Sequence, residues 1–299
     1  MSVPSPRTDV IHDIGYRNYD GARLGRGYAV RSLFSESLKA AFGLGRPAKS
    51  KVMPLLLLVA MTLPALIIVI VAILTEADDL PLEYTDYIPV TFYMTAIFLA
   101  SQAPQMVSRD LRFHVVPLYF SRPITRADYV LAKYAAMIVA LLILMAAPLV
   151  ILYGGALLAE LSFWTQTKGF LMAATGAVFF ALVLAGLGLA IASATPRRGF
   201  GVAAIITVIL VSYTVVASVQ GITIEEGSPD VALYAELFTP FNLVNSFQLW
   251  LFGLDENALF PDVPVPVGVE GVLFALGVLA LVAASVGFLT FRYRRVAAQ

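Results

Sequence analysis

The sequence predicts an all-α membrane protein, a bundle of six transmembrane helices. Two observations lead to this fold class: six long apolar segments, and a strong bias in where the basic residues between them fall. Hydrophobic residues make up 59% of the 299 residues and charged residues 13%, with a mean hydropathy of +0.83. A soluble domain of this composition would expose too much apolar surface to water. We therefore expect a bilayer around most of the chain.

Each apolar segment is long enough to cross a bilayer, because a helix rises about 1.5 Å per residue and the hydrocarbon core is about 30 Å thick. The predicted spans are residues 52–74, 88–107, 130–158, 170–193, 200–219 and 268–291. They divide the chain into an N-terminal segment (1–51), a six-span domain (52–291) and a tail (292–299). Small residues such as Gly186 and Gly188 concentrate in the fourth span and predict close helix packing.

The basic residues orient the spans. Nineteen of the twenty Lys and Arg residues fall on one side of this threading, and only Lys168 falls on the other, which carries acidic loops over 76–86 and 225–262. By the positive-inside rule both termini are cytoplasmic, and a multi-pass protein of the bacterial inner membrane is expected. The net charge of zero gives no indication of nucleic-acid binding. No cleavable signal peptide is expected, since the first apolar run starts only at Val52.

A short amphipathic helix is predicted before the first span, over residues 28–42. Charged side chains such as Arg31 and Lys39 lie opposite an apolar stripe. The stripe consists of Val30, Leu33, Phe34 and Leu38. A helix of this kind beside a span usually lies in the headgroup plane, with its apolar face towards the lipid tails. Packing on the protein's own bundle is the alternative interpretation.

The loop after the second span contains the most informative local sequence, SRDLRFHVVPLYFSRPITRADYVLAKY at 108–134. Thr125 and Asp128 have the spacing of a capping box, which predicts the start of the third span. Upstream, three apolar residues at helical spacing predict a short helix from 109 to 120 across the end of the bundle: Leu111, Val115 and Leu118. The basic residues of this loop have an alternative role as determinants of topology alone.

The acidic loop before the last span contains an apolar stretch of 16 residues, 237–252. As a helix it would reach only about 24 Å, too short to cross. Thr239 before Pro240 predicts a helix start. We expect a re-entrant helix at the outer face, with an aromatic interfacial helix as the alternative. The aromatic residues assigned to this outer gate are Phe238, Phe241, Phe247 and Trp250.

The order of these elements resembles the permease subunits of ABC-2 type ABC transporters. The match is most specific in the loop, at Ser108 to Asp110, Ser121 to Ile124 and Arg126. In that family this loop carries a coupling helix that docks on a separate ATPase subunit, and the next loop on the same side makes a smaller contact. The resemblance thus implies coupling residues in both loops: Arg109, Asp110, Arg112, Phe113, Leu118 and Arg122 in the first, and Arg197 and Arg198 in the second.

The resemblance implies a cytoplasmic ATPase partner that holds ATP and magnesium, a second permease subunit, surrounding lipid, and export of an apolar or amphipathic substrate. The chain itself has no phosphate loop of the Gly-x-x-x-x-Gly-Lys-Ser/Thr type, so neither enzyme activity nor a bound cofactor is expected. With no cysteine and only His12 and His114, a zinc site is not expected either. The predicted spans place no ionisable residue at mid-bilayer depth, which argues against proton- or sodium-driven transport. A non-transporting scaffold or sensor remains the alternative.

Overall fold

The computed structural model describes residues 21, 24–113, 115–121, 123–195, 197–257 and 260–296. Across these residues the chain is helical and contains no β-strand. The elements, in order, are α1 (Arg26–Ala41), α2 (Lys49–Leu74), α3 (Tyr84–Val90), α4 (Phe92–Arg112), α5 (Val116–Phe120), α6 (Arg126–Leu158), α7 (Phe163–Ala194), α8 (Arg198–Glu225), α9 (Pro229–Ala235), a 3₁₀ turn (Glu236–Phe238), α10 (Pro240–Phe252) and α11 (Val269–Val296).

Five of these helices are long and apolar enough to cross a membrane: α2, α6, α7, α8 and α11. Their outward faces carry large apolar side chains, among them Leu55, Val59 and Leu63 of α2, each more than half exposed. Apolar surface on this scale is suited to lipid and not to water. The length and composition of the helices thus indicate a multi-pass membrane protein.

The second predicted span, 88–107, is divided in the structure. α3 ends at Val90 and α4 begins at Phe92, with Thr91 between them. The Thr91 hydroxyl donates to the carbonyl of Tyr87 (2.6 Å). α4 is not among the five spanning candidates, since its sequence mixes apolar residues with polar and charged ones. It lies instead largely inside the protein, with a buried face of Phe98, Leu99, Gln102, Ala103, Met106 and Val107.

The centre of the bundle is α7, which α3, α4, α6, α10 and α11 all contact. Its glycines permit a close approach. A Cβ on Gly188 would lie 2.5 Å from Leu99 Cδ1 of α4, and one on Gly186 would lie 2.8 Å from Ser285 Cβ of α11. Since lipid supplies no hydrophobic drive between helices, small residues stabilise such contacts by allowing van der Waals packing. The predicted close packing of the fourth span is confirmed.

The N-terminal helix α1 packs on the bundle, against α6 and α4. Its buried face consists of Leu33, Ser37 and Ala41, and the remaining residues of the predicted stripe, Val30, Phe34 and Leu38, pack partly buried beside it. At the start of the helix the Arg26 guanidinium donates two hydrogen bonds to the Asp128 carboxylate, at 2.8 and 2.7 Å. The structure thus agrees with the alternative interpretation of this helix, in which it packs on the protein's own bundle.

The capping box at the start of α6 is confirmed. Thr125 Oγ1 accepts a hydrogen bond from the backbone N–H of Asp128 (3.2 Å), and the Asp128 carboxylate accepts one from the backbone N–H of Thr125 (2.9 Å). Two donors at the helix N-terminus thus find partners, an arrangement that typically contributes about 1 kcal/mol. The cap determines where the chain re-enters the bundle after α5.

Short helices connect α8 to α11. α10 begins as predicted, with Thr239 Oγ1 accepting from the N–H of Asn242 (3.0 Å) and Pro240 in the first helical position. It ends at Gly253, whose positive φ of 63° is readily adopted by glycine. Residues 240–249 are all buried. α10 therefore lies within the protein, against α7 and α11.

Candidate functional site

The two ends of the bundle differ in charge. At one end, the basic end, α4 ends at Arg112, α6 begins at Arg126 and α8 begins at Arg198. At the other, the acidic end, carboxylates such as Asp86 and Glu256 line a common cavity. The 21 residues of α4 correspond to a length of about 30 Å.

The helix predicted over residues 109–120 is wrong as a single element. Residues 109–112 form the last turn of α4, and α5 is a separate helix of five residues. Pro117 lies in the first turn of α5, where its missing N–H breaks no helical hydrogen bond. Proline alone does not explain why α4 ends before it, since α4 itself continues through Pro104.

At the basic end, two predicted loops meet at one cavity of about 500 Å³. Arg112 and Phe113 reach it from the end of α4, and Arg198 reaches it from the first turn of α8. The α1–α2 connection adds Arg46, whose Nη1 donates to Gln105 Oε1 of α4 (2.9 Å). Three guanidinium groups from three segments thus line a common space. Such an arrangement favours an acidic partner group.

Exposed apolar side chains accompany these basic residues. Phe113, Leu118 and Phe200 are each more than 60% exposed. Exposed aromatic and aliphatic residues beside arginine are typical of protein-binding surfaces. Together with Arg112 and Arg198 they form what we call the basic-end surface.

The other predicted coupling residues have different positions. Arg197 occupies the N-cap of α8 and is exposed. Arg109 lies in the last turn of α4, but its side chain is outside the described part of the chain, as is the whole of Arg122. The two loops are therefore brought together by Arg112, Phe113 and Arg198.

Asp110 is engaged inside the protein, although the resemblance assigns it to a partner surface. Its Oδ2 lies 2.9 Å from Lys133 Nζ and accepts a hydrogen bond from the Tyr129 hydroxyl (2.7 Å). Lys133 also donates to the carbonyl of Met106 (2.9 Å). The Lys133 and Asp110 side chains are only 9% and 16% exposed. Because water reaches neither group freely, each charge is compensated mainly by the other. The pair links α4 to α6.

At the acidic end a cavity of about 930 Å³ opens near α3 and α10. Five carboxylates line it: Glu83, Asp86, Asp255, Glu256 and Asp262. Burial, together with the neighbouring charges of Glu83 and Glu256, raises the pKa of Asp86 to about 6. A concave surface lined by charges of one sign concentrates ions of the opposite sign, here cations.

Beside this cavity lies a buried polar cluster that sequence patterns did not reveal. Glu236, which the sequence places in the acidic loop over 225–262, is 1% exposed. Its carboxylate accepts hydrogen bonds from Gln220 Nε2 (3.2 Å), Asn257 Nδ2 (3.3 Å) and the Ser246 hydroxyl. Burial raises the pKa of Glu236 to about 7, and the three hydrogen bonds oppose this rise. These residues, with Asn245, form what we call the Glu236 cluster.

One sequence signal could have pointed to this cluster. Asn242, Asn245, Ser246 and Gln248 interrupt the apolar sequence of α10, and residues three or four apart share a helix face. Polar groups on a buried helix need hydrogen-bond partners, so a polar group opposite them was to be expected. That this group is Glu236 follows only from the fold of the turn before α10.

The aromatic residues assigned to the outer gate occupy different environments. Phe241 and Phe247 are buried, and the Phe247 ring lies edge-on against Phe179 with centroids 4.9 Å apart. Trp250 is partly buried, whereas Phe238 is 78% exposed. Three of the four residues therefore pack into the bundle and Phe238 does not.

No protein-family model matches the chain, and no curated protein matches it significantly. The remaining indications of its function are the order of its elements and the geometry of its two ends. The basic-end surface is the part of that geometry most suited to a protein partner.

Proposed function

We propose that the chain is the permease subunit of an ABC-2 type transporter, which exports an apolar or amphipathic substrate with ATP hydrolysed by a separate subunit. One observation carries the proposal: two loops distant in sequence present Arg112, Phe113 and Arg198 at one cavity on one end of the bundle. A docking partner at that end contacts both loops at once. The absence of a phosphate loop from the sequence supports a division of labour in which the partner binds ATP.

In this proposal α4 is a membrane span in addition to the five named above, which gives six spans. Both termini then lie in the cytoplasm of a bacterial cell. α4 extends from the acidic end to the basic end, and its polar residues are tolerated in a bilayer because much of the helix faces protein. With α4 included, the long helices alternate in direction along the chain. The basic end then faces the cytoplasm, in agreement with the positive-inside rule.

In the same proposal α10 is a re-entrant helix. Its 13 residues correspond to about 20 Å, too short to cross a bilayer. Its ten buried residues favour a helix embedded in the bundle over one lying at the interface. A second permease subunit has apolar surface available on α8 and α11, the spans least buried by the chain's own helices.

The experiment compares a docking variant with a matched control. The tagged parent chain is purified from the organism that encodes it. The co-purifying ATPase is identified by its sequence and by ATP hydrolysis. Arg112→Glu with Phe113→Ala should greatly reduce ATPase recovery and hydrolysis, because one change reverses a charge and the other removes an exposed apolar contact. The control pair, Lys168→Glu with Phe163→Ala, makes the same exposed changes at the acidic end and should leave both unchanged.

Two results would contradict the proposal. The first is ATP hydrolysis by the purified chain alone, since the chain would then belong to another class of protein. The second is equal ATPase recovery with the docking variant and with the parent, at equal membrane insertion. The basic-end surface would then not be the docking site.

A further inference from the structure

No basic side chain among the described residues pairs with the buried Glu236 carboxylate. The ion pairs formed by the described residues are Arg26–Asp128, Lys39–Glu36 and Lys133–Asp110. The turn that carries Glu236 packs against α8, α9 and α10. The charged residues at this end of those helices, Glu225 and Asp230, are acidic, and α10 has none. A buried carboxylate is costly unless a positive charge compensates it.

The same cluster contains buried oxygen atoms without hydrogen bonds. Gln220 Oε1 and Asn245 Oδ1 have no partner among the described residues, although their side chains are only 1% and 3% exposed. Both belong to the network, since Gln220 donates to Glu236 and Asn245 Nδ2 donates to Asn257 Oδ1 (3.3 Å). Buried acceptors are normally satisfied, so these two oxygens are available to a ligand that interacts favourably with oxygen lone pairs.

The oxygen atoms of the cluster determine which ligand chemistry it favours. A carboxylate, two amide carbonyl oxygens and the Ser246 hydroxyl offer oxygen alone, the donor set that hard cations prefer. The described residues contain no grouping of three or more His, Cys, Asp or Glu side chains for a metal of higher charge. A monovalent cation matches the single negative charge of the cluster.

The acidic cavity lies beside the cluster. Asn257 lines that cavity and also donates to Glu236. The five carboxylates of the cavity favour cations at a place one side chain away from the buried carboxylate.

We propose that the Glu236 cluster is a binding site for a small monovalent cation, for which Na⁺ is the probe. Glu236, Gln220, Asn245 and Ser246 supply the ligand oxygens. The bound ion links α8, the turn and α10, and so holds α10 in the bundle. This inference does not depend on an ATPase partner, so it is tested on the isolated chain.

The test measures the melting temperature of the purified full-length chain in detergent at pH 8, in NaCl and in choline chloride of equal ionic strength. A ligand that binds only the folded state raises Tm, by about 3 °C when its concentration is roughly ten times its dissociation constant. Na⁺ should produce this rise in the parent and not in Glu236→Gln. The control Glu226→Gln, an exposed change at the end of α8, should keep it.

A second variant keeps the test decisive if Glu236→Gln does not fold. Asn245→Ala retains the charge and removes one ligand oxygen, so it should raise the Na⁺ concentration that gives half of the Tm rise. Three outcomes would overturn the proposal: a parent Tm equal in the two salts, a Na⁺ effect that persists in Glu236→Gln, or a Glu236-dependent response to pH without any response to Na⁺. The last identifies a proton site alone.

Discussion

Removing the Asp110 carboxylate should destabilise the isolated chain. In Asp110→Asn the Lys133 ammonium keeps its hydrogen bond to the Met106 carbonyl but loses the carboxylate 2.9 Å away. With Lys133 only 9% exposed, little water can replace that carboxylate. Removing one partner of a buried ion pair costs about 3 to 5 kcal/mol. Both side chains lie near the end of the bundle and keep some exposure, so we expect the lower value, about 3 kcal/mol.

The assay is the free energy of unfolding of the purified chain, from SDS titrations that follow tryptophan fluorescence and helix content. Lys133→Met combined with Asp110→Asn removes the unpaired charge and should recover much of the loss, because the stranded ammonium is what makes the single change costly. Arg112→Gln, an exposed neighbour two residues along, should change the free energy of unfolding by less than about 0.5 kcal/mol.

The result that would refute this reasoning is an Asp110→Asn chain as stable as the parent. If that variant were stable but did not recover the proposed ATPase partner, Asp110 would serve docking, as the family resemblance implies. Loss of stability in the isolated chain, by contrast, assigns Asp110 to the link between α4 and α6.

Three further outcomes are expected. Single cysteines at Asp255 and Arg197, in a chain without others, should be labelled from outside and inside respectively; labelling of both from one side contradicts six spans. Gly188→Ala should cost about 1 to 3 kcal/mol in SDS titrations, since its Cβ would meet Leu99; an unchanged value contradicts that contact. Without sodium, protonated Glu236 stabilises the fold fully below pH 4.5, and about 3 kcal/mol of this stability is lost as the pH rises through about 7. Glu236→Gln should show no such loss. A parent chain whose free energy of unfolding does not change over this pH range contradicts the burial of Glu236.

Features that depend on neighbouring residues were predictable from the sequence. The Thr125 capping box and the Pro240 helix start both appear as predicted, because a cap requires only a few residues at fixed spacing. Five spans were predictable for a similar reason, since apolarity over some twenty residues is a property of one segment. The separation of α5 from α4 was not predictable in this way, because the apolar spacing of Leu111, Val115 and Leu118 fits one continuous helix equally well.

The site depended more on tertiary structure. The convergence of Arg112 and Arg198 on one cavity joins loops from α4 and α8, which no spacing rule connects. The resemblance assigned Asp110 to a partner, and only the position of α6 revealed Lys133 beside it. Charge type and approximate location were thus predictable, whereas exposure was not.

The sequence by itself determined that the chain is helical, largely apolar, and basic at one end of its bundle, because hydropathy and charge are summed along the chain. Only the tertiary structure decided which charged groups are buried. Glu236 and Glu226 belong to the same acidic segment, yet one is 1% exposed in a polar cluster and the other lies at the surface. Burial depends on neighbours that are distant in sequence, such as Gln220 and Asn257, and it changes both the charge state and the ligand chemistry of a carboxylate.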